Sequence, residues 1–208
     1  MANEAKRAYD YTKYRIIKLT ESKNKSVTRA ILSKLRRGIG KAPGSMPELW
    51  DITLGELPET LLSKGDNPTY GEWAVYTALT LFALHQQGKD IKRQCMSKDS
   101  SHLGNSVKKL IQQDNGNENA VTRRFVVAAT SDSIEELSHH LRGIVQLLKA
   151  KDIPLDYPAL SEDLFWFQFS DKRDSVRLRW GQDFYRLNEI KVDTDLESEE
   201  RKEERNEK

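Results

Sequence analysis

The 208-residue chain predicts an all-α fold, a two-lobed bundle of about seven to nine helices. Three observations predict it. Apolar residues recur at steps of three and four almost throughout. Several of these stripes open on a capping residue or a proline and close on a glycine. Glycine and proline together make up about 8% of the residues, which argues against a loop-rich chain.

Taken in order, Ser26 can cap a helix carrying Val27, Ile31 and Leu35, and Gly38 stands where a C′ glycine belongs. Residues 38–47, rich in Gly and Pro, are the clearest loop. Residues 48–65 read as a short helix broken at Pro58, followed by a Gly65-Asp66-Asn67-Pro68 turn. Glu72 to Gln87 is apolar over most of its circumference, which marks a buried central post, and Gly88 stops it. Ser106 to Gln113 and Glu118 to Thr130 are shorter helices separated by residues 114–117. Ser133-Ile134-Glu135-Glu136 is a capping box that opens a helix with Ile134, Leu137, Leu141, Val145 and Leu148 on one stripe. Asp152 to Pro158 is a turn, and Pro158 opens the next helix through Leu160, Leu164 and Phe167. The run 164–169 suits a strand by composition, but its length and its approach favour helix. Asp171 caps a last helix with Val176, Trp180, Phe184 and Leu187 inward. Residues 193–208 hold one apolar side chain, Leu196, and read as a charged, disordered tail beyond a helical domain of residues 1–192. The loop at 38–47 and the turns near residues 66 and 115 are the candidate lobe boundaries, the last giving lobes of about 1–115 and 116–192.

The net charge of +2 conceals a segregation. Residues 1–45 carry 12 basic and 3 acidic side chains, residues 46–192 carry 18 and 21, and residues 193–208 carry 4 and 8. A segment at +9 attracts polyanions and a tail at −4 repels them. Asymmetry of this size marks an anion-binding face more often than a merely solvated one.

Other classes fail. The longest mostly apolar run, Trp73 to Leu84, has 12 residues, against about 20 needed to span a bilayer. No secretory h-region follows the N-terminal charges, so a cytoplasmic protein is expected. The single Cys95 excludes an intramolecular disulfide and a Cys-rich zinc site. His139 and His140 are adjacent and point about 100° apart on a helix, so they do not chelate one metal. His85, on the buried helix, reads as a core histidine. Gly38-Ile39-Gly40-Lys41 lacks the Walker spacing and the preceding strand. Glu135-Glu136 and Glu162-Asp163 sit at helix starts, where the macrodipole already explains them. No catalytic residue, metal, cofactor or small-molecule substrate is expected.

Polyanion binding fares better. Between Arg29 and Lys41 there are five basic residues and no acidic one. Lys34 and Arg37 lie off the apolar stripe, while Arg36, Arg37 and Lys41 flank glycines that let backbone approach a phosphate. In the last helix Lys172, Arg179 and Arg186 recur at steps of seven, and Arg173 and Arg177 form an i, i+4 pair. Ion pairs to Asp183 would account for Arg179 and Arg186 as ordinary surface charge. Lys108-Lys109 and Arg123-Arg124 add two doublets. Charges spread over several helices suit backbone tracking rather than base readout. No zinc finger, RNP motif or basic zipper is present. The helix at 26–37 is not followed by a recognition helix, which leaves a helix-turn-helix regulator as a lesser alternative.

Three blocks carry a resemblance. They are Gly71-Glu72-Trp73-Ala74 through Gln86-Gln87-Gly88-Lys89, Leu137-Ser138-His139-His140-Leu141-Arg142-Gly143, and Asp171 to Tyr185 with its Arg177-Leu178-Arg179-Trp180-Gly181-Gln182-Asp183-Phe184-Tyr185 core. In these the chain resembles the CasB-type small subunit of Cascade, the type I-E CRISPR surveillance complex, over roughly residues 28–187. Where the family tends to read Leu-Gly-Arg-Ala-Leu, this chain has Leu103-Gly104-Asn105-Ser106-Val107, so Lys108 and Lys109 are the cations available there. The resemblance implies an all-helical, two-lobed protein without catalytic activity. It implies two copies packed head to tail against the backbone subunits, with the large subunit nearby. The implied role is to hold R-loop nucleic acid, chiefly the displaced non-target DNA strand, with the guide RNA and the target strand as further partners. Lys34, Arg36, Arg37, Lys41, Lys108 and Lys109 are therefore candidate phosphate contacts. So are Arg123, Arg124, Arg142, Lys172, Arg173, Arg177 and Arg179. The alternative within the same complex is an adaptor that binds protein subunits alone.

Overall fold

The structure is a computed structural model that describes residues 1–113 and 118–186. Within them the all-α expectation holds. Nine α-helices and one 3-10 turn are present among the described residues, and the lone β pairing is a bridge between Ser97 and Leu155. The helices are α1 (Ala2–Glu21), α2 (Lys25–Arg37), α3 (Trp50–Thr53), α4 (Tyr70–His85), α5 (Leu103–Gln113), α6 (Glu118–Ala129), α7 (Ile134–Ala150), α8 (Tyr157–Phe167) and α9 (Ser170–Tyr185). The candidate lobe boundary near residue 115, the acidic tail and Leu187 lie outside the described residues.

The central post is where the sequence places it. From Ala74 to His85 every residue of α4 is buried, because α1, α2, α7 and α8 all pack around it. Its start is a full capping box. Thr69 Oγ1 accepts from the Glu72 amide at 3.0 Å, and Glu72 Oε2 accepts from the Thr69 amide at 2.7 Å. Helix α8 lies across α1 and α4, while α9 packs on α5 and α8, and α6 on α5 and α7. One apolar cluster runs through all of these layers, from Ala5 to Phe184.

Several local expectations change. Helix α1 has no counterpart in the sequence reading, because its inner stripe mixes Ala5, Ala8 and Ile16 with polar Thr12 and Arg15. Arg15 is buried because its guanidinium donates to the Asp51 and Gly55 carbonyls and to Glu56, and its Nε donates to the Tyr11 hydroxyl. Helix α2 is capped by Asn24 rather than Ser26, and Thr28, Leu32 and Leu35 face inward while Val27 is exposed. The asparagine oxygen accepts from both the Ser26 and Val27 amides, so it outcompetes the serine two residues on. Gly38 has an ordinary φ of −78°. It is a glycine because an added Cβ would meet the Tyr76 hydroxyl at 2.6 Å and Leu49 Cδ1 at 2.7 Å. Residues 48–65 form only the Pro47–Leu49 turn and the single turn of α3. Asp171 sits in the first turn of α9, whose N-cap is Phe169. The Leu164–Phe167 stretch is helical, and Asp156 caps its helix by accepting from the Ala159 amide.

Candidate nucleic-acid interface

The candidate cations fall into two groups once their partners are known. Arg173 and Arg177 are half-buried and hold the junction of α6, α8 and α9. Arg173 Nε donates to the Phe167 carbonyl at 3.0 Å, and its guanidinium lies over the Phe167 ring. Arg177 donates to the Ala129 carbonyl at 2.6 Å and the Ser131 carbonyl at 3.0 Å. These carbonyls close the C-terminal end of α6, so one guanidinium supplies donors that the helix itself lacks. Asp132 and Asp174 flank the pair. Arg179 pairs with Asp163 and not with Asp183, which instead faces His102 and Arg186. Lys108 donates to the Arg186 carbonyl, Lys172 lies 3.5 Å from Asp171, and Arg37 lies 2.9 Å from Glu48.

The other group has no hydrogen-bond or ion-pair partner among the described residues. It comprises Lys34, Arg36, Lys41, Lys109, Arg123, Arg124 and Arg142. Of these, Arg36, Lys41 and Arg142 are placed on the side of the molecule where α2 and α7 flank α4. Arg123 and Arg124 are exposed on α6 and Lys109 on α5.

Arg36 stands at one end of a groove of about 690 Å³, bounded by α2, the last turn of α1 and the turn after α4. Five cations line it, Lys25, Arg29, Arg36, Lys89 and Lys92, against one acid, Asp90, which pairs with Lys25 at 3.2 Å. Lys149, at the end of α7, belongs to the same cluster. Burial holds its ammonium below the ordinary lysine value, and the charges of Arg36 and Lys89 push it further the same way. Burial likewise lowers the Arg36 guanidinium. Like charges this close are unfavourable unless something anionic sits among them. Lys89 leans on Asp152, and Lys149 donates to Gln87 Oε1 at 2.9 Å. The turn carrying Lys89 and Lys92 is stiff. Gln86 is buried beneath it, donating to the Gln94 carbonyl and accepting from the Met96 amide, both at 2.9 Å.

The sequence reading names none of Lys25, Lys89, Lys92 and Lys149 as a phosphate contact. Lys25, the turn with Lys89 and Lys92, and Lys149 lie far apart in the chain, and only the packing of α2 and α7 on α4 brings them together. The one signal available in advance was the placement of Lys89 and Lys92 on the turn that ends the most buried helix. His85 is a core histidine, as expected. It is buried with Nδ1 at 2.9 Å from the Tyr157 hydroxyl, and its pKa falls to about 4 by burial, with the charges of Lys89 and Lys149 adding to it. Among the described residues no group of three or more His, Cys, Asp or Glu side chains could hold a metal ion. No helix among them is long and apolar enough to cross a membrane.

Fold and surface together define an all-helical protein with a cationic groove cut into one side of its bundle. Residues 31–185 match the family described as CRISPR-associated protein Cse2, and the chain belongs to that family. Among solved structures it is similar to CasB from Thermobifida fusca, at 27% identity over 86% of this chain and 97% of that one, with a TM-score of 0.71. CasB from M. ruber shares the fold at 20% identity, covering 92% of this chain and 97% of that one, with a TM-score of 0.63. No curated protein sequence matches the chain.

Proposed function

We propose that the chain is the non-catalytic small subunit of a type I-E Cascade complex in the cytoplasm, binding nucleic-acid backbone to stabilise the R-loop. The displaced non-target DNA strand is its chief ligand, with the guide RNA and target strand as further contacts. The observation that carries this reading is the groove with five cations and one acid, extended by Lys149. Lys41 and Arg142 continue the cationic side, Arg142 lying two helical turns before Lys149 on the same face of α7. Lys34, Lys109, Arg123 and Arg124 are secondary contacts in the same reading, while Arg37, Lys108, Lys172, Arg173, Arg177 and Arg179 reach a phosphate only by leaving the partners given above. Exchange of a DNA duplex for an RNA–DNA heteroduplex is nearly balanced in free energy, so modest contacts to the freed strand can tip it. Those contacts need no sequence preference, because the guide RNA does the reading. A division into two lobes meeting near residue 115 is part of this proposal.

The test is target-DNA affinity of the assembled complex as a function of salt, with Arg36→Glu, Lys92→Glu and Lys149→Glu introduced singly and together. Removing one phosphate neutralisation should flatten the log–log slope by about 0.7–0.9. Intact assembly with an unchanged slope would exclude a phosphate role for the groove.

One observation favours the adaptor reading for a different face. Val126 and Tyr185 are exposed at a groove of about 420 Å³ between α6 and α9, floored by Phe125 and Phe184, and Val127 and Leu178 are exposed on the same two helices. We assign this apolar face to protein partners, namely a second copy, the backbone subunits or the large subunit. DNA crosslinking from the α2 groove but not from this face is the expected pattern.

A further inference from the structure

The α2 groove holds more than a cationic rim. Its floor is aliphatic, made by Leu19, Leu32 and Ile91 beside Thr28. A surface that only tracks phosphates needs a row of cations and no hollow. This hollow of about 690 Å³ lies within the range of about 300–1,000 Å³ typical of pockets that take an organic ligand. We propose that the groove seats one unpaired nucleotide of the bound strand, its base on the aliphatic floor and its flanking phosphates on the cationic rim. The inference rests on the nucleic-acid reading above and deepens it.

Charge complementarity selects this occupant. The rim presents Lys25, Arg29, Arg36, Lys89 and Lys92; Asp90 pairs with Lys25 and Asp152 with Lys89, which leaves Arg29, Arg36 and Lys92 without an acid among the described residues, so the ligand is anionic. The floor is apolar, its side chains nearly buried at the bottom of the hollow, so a ligand that fills it also carries a flat apolar part. A nucleotide with its base swung out of the stack has both. A duplex keeps its bases stacked inside and offers this groove phosphates alone, so only an unpaired strand can reach the floor. Gln87 stands at the lip with Oε1 occupied by Lys149 and its amide nitrogen without a partner among the described residues. Ser33, exposed on α2, adds a hydroxyl on the other wall. Neither group demands a particular base, and no aromatic ring lines the groove, so the seat is tolerant of sequence.

The experiment uses the full chain and two fluorescent 12-residue strands at matched salt. One is oligothymidine, and the other has the same phosphates with abasic sugars. The natural chain should bind the strand with bases at least about three-fold more tightly, the effect of burying about 25 Å² of base on an aliphatic floor at about 25 cal/mol per Å². Ser33→Gln places a longer, uncharged side chain without an aromatic ring across the groove from an exposed position. It should bring the ratio to one while leaving the salt slope of the abasic strand unchanged. Ser33→Ala should keep the ratio. Equal binding of both strands by the natural chain would overturn the nucleotide seat and leave the backbone reading standing. A preference that survives Ser33→Gln would overturn it too, placing the base contact elsewhere. Poly-glutamate bound as tightly as oligothymidine would overturn it in favour of an acidic protein segment. No binding of either strand would overturn the nucleic-acid reading itself.

Discussion

Arg177 closes the C-terminal end of α6 by donating to the carbonyls of Ala129 and Ser131, and its charge is further spread over Asp132 and Asp174. Arg36, by contrast, has cations rather than acids for neighbours. Arg177→Ala should therefore cost about 1–3 kcal/mol, the usual penalty for leaving buried carbonyls without a donor. Arg36→Gln should change stability by no more than about 0.5 kcal/mol, since it removes repulsion and no hydrogen bond. Urea denaturation of the two variants checks the contrast. His85 supplies a second residue-level expectation. Its folded pKa of about 4 lies below the ordinary value of 6.5. The unfolded chain thus takes up a proton that the folded one refuses. Its contribution is complete above pH 6.5 and is lost as pH falls towards 4, by about 3 kcal/mol in all. Asp163 and Glu162 act in the opposite sense. Burial raises both carboxyls, so what they contribute is lost as pH rises through their folded values. The measurement is therefore a difference. His85→Gln should flatten the fall in stability between pH 6.5 and 4.5 relative to the natural chain.

The helices show which local signals survive packing. Caps at Ser133 and the Pro158 start appear where the residues place them, although the Glu136 carboxylate accepts from the Asp132 amide rather than from Ser133. The stripe of α2 slips by one residue because Thr28, polar in sequence, is buried with its hydroxyl on the Asn24 carbonyl. Helix α1 is hidden for the same reason. A stripe containing Thr12 and Arg15 carries little hydrophobic periodicity, and the partners that satisfy Arg15 lie about 40 residues away. The crossing of α5 on α9 is a close backbone approach, and Gly104 makes it possible. A Cβ there would fall on the Trp180 carbonyl and within 2.8 Å of the Phe184 amide. Both are backbone and cannot turn aside. Gly104→Ala should cost about 1–3 kcal/mol or more, read as a lower melting temperature, whereas Gly143→Ala, with open space around it, should not.

At the scale of the molecule, the basic N-terminal segment divides in two. The cations of α1 are consumed locally. Arg15 is buried, while Lys6, Lys13 and Lys18 pair with Asp10, Asp99 and Glu56. Lys25, Arg29 and Arg36 of α2 line the groove and meet Lys89, Lys92 and Lys149 from distant parts of the chain. By itself the sequence determined the helical class, the buried post, the cap at Ser133, the proline start of α8 and the blocks that mark the Cse2 family. These depend on neighbours three or four positions apart, or on residue order alone. Tertiary structure decided which cations are structural ties and which remain open to a ligand. Arg173 and Arg177 could not be told from Arg36 by spacing, because what separates them is whether a carbonyl or carboxylate of another helix comes within reach. The groove was illegible for the same reason. Its floor and rim come from residues 19 to 92, its sixth cation from residue 149, and only the docking of α2 and α7 on α4 makes them one surface.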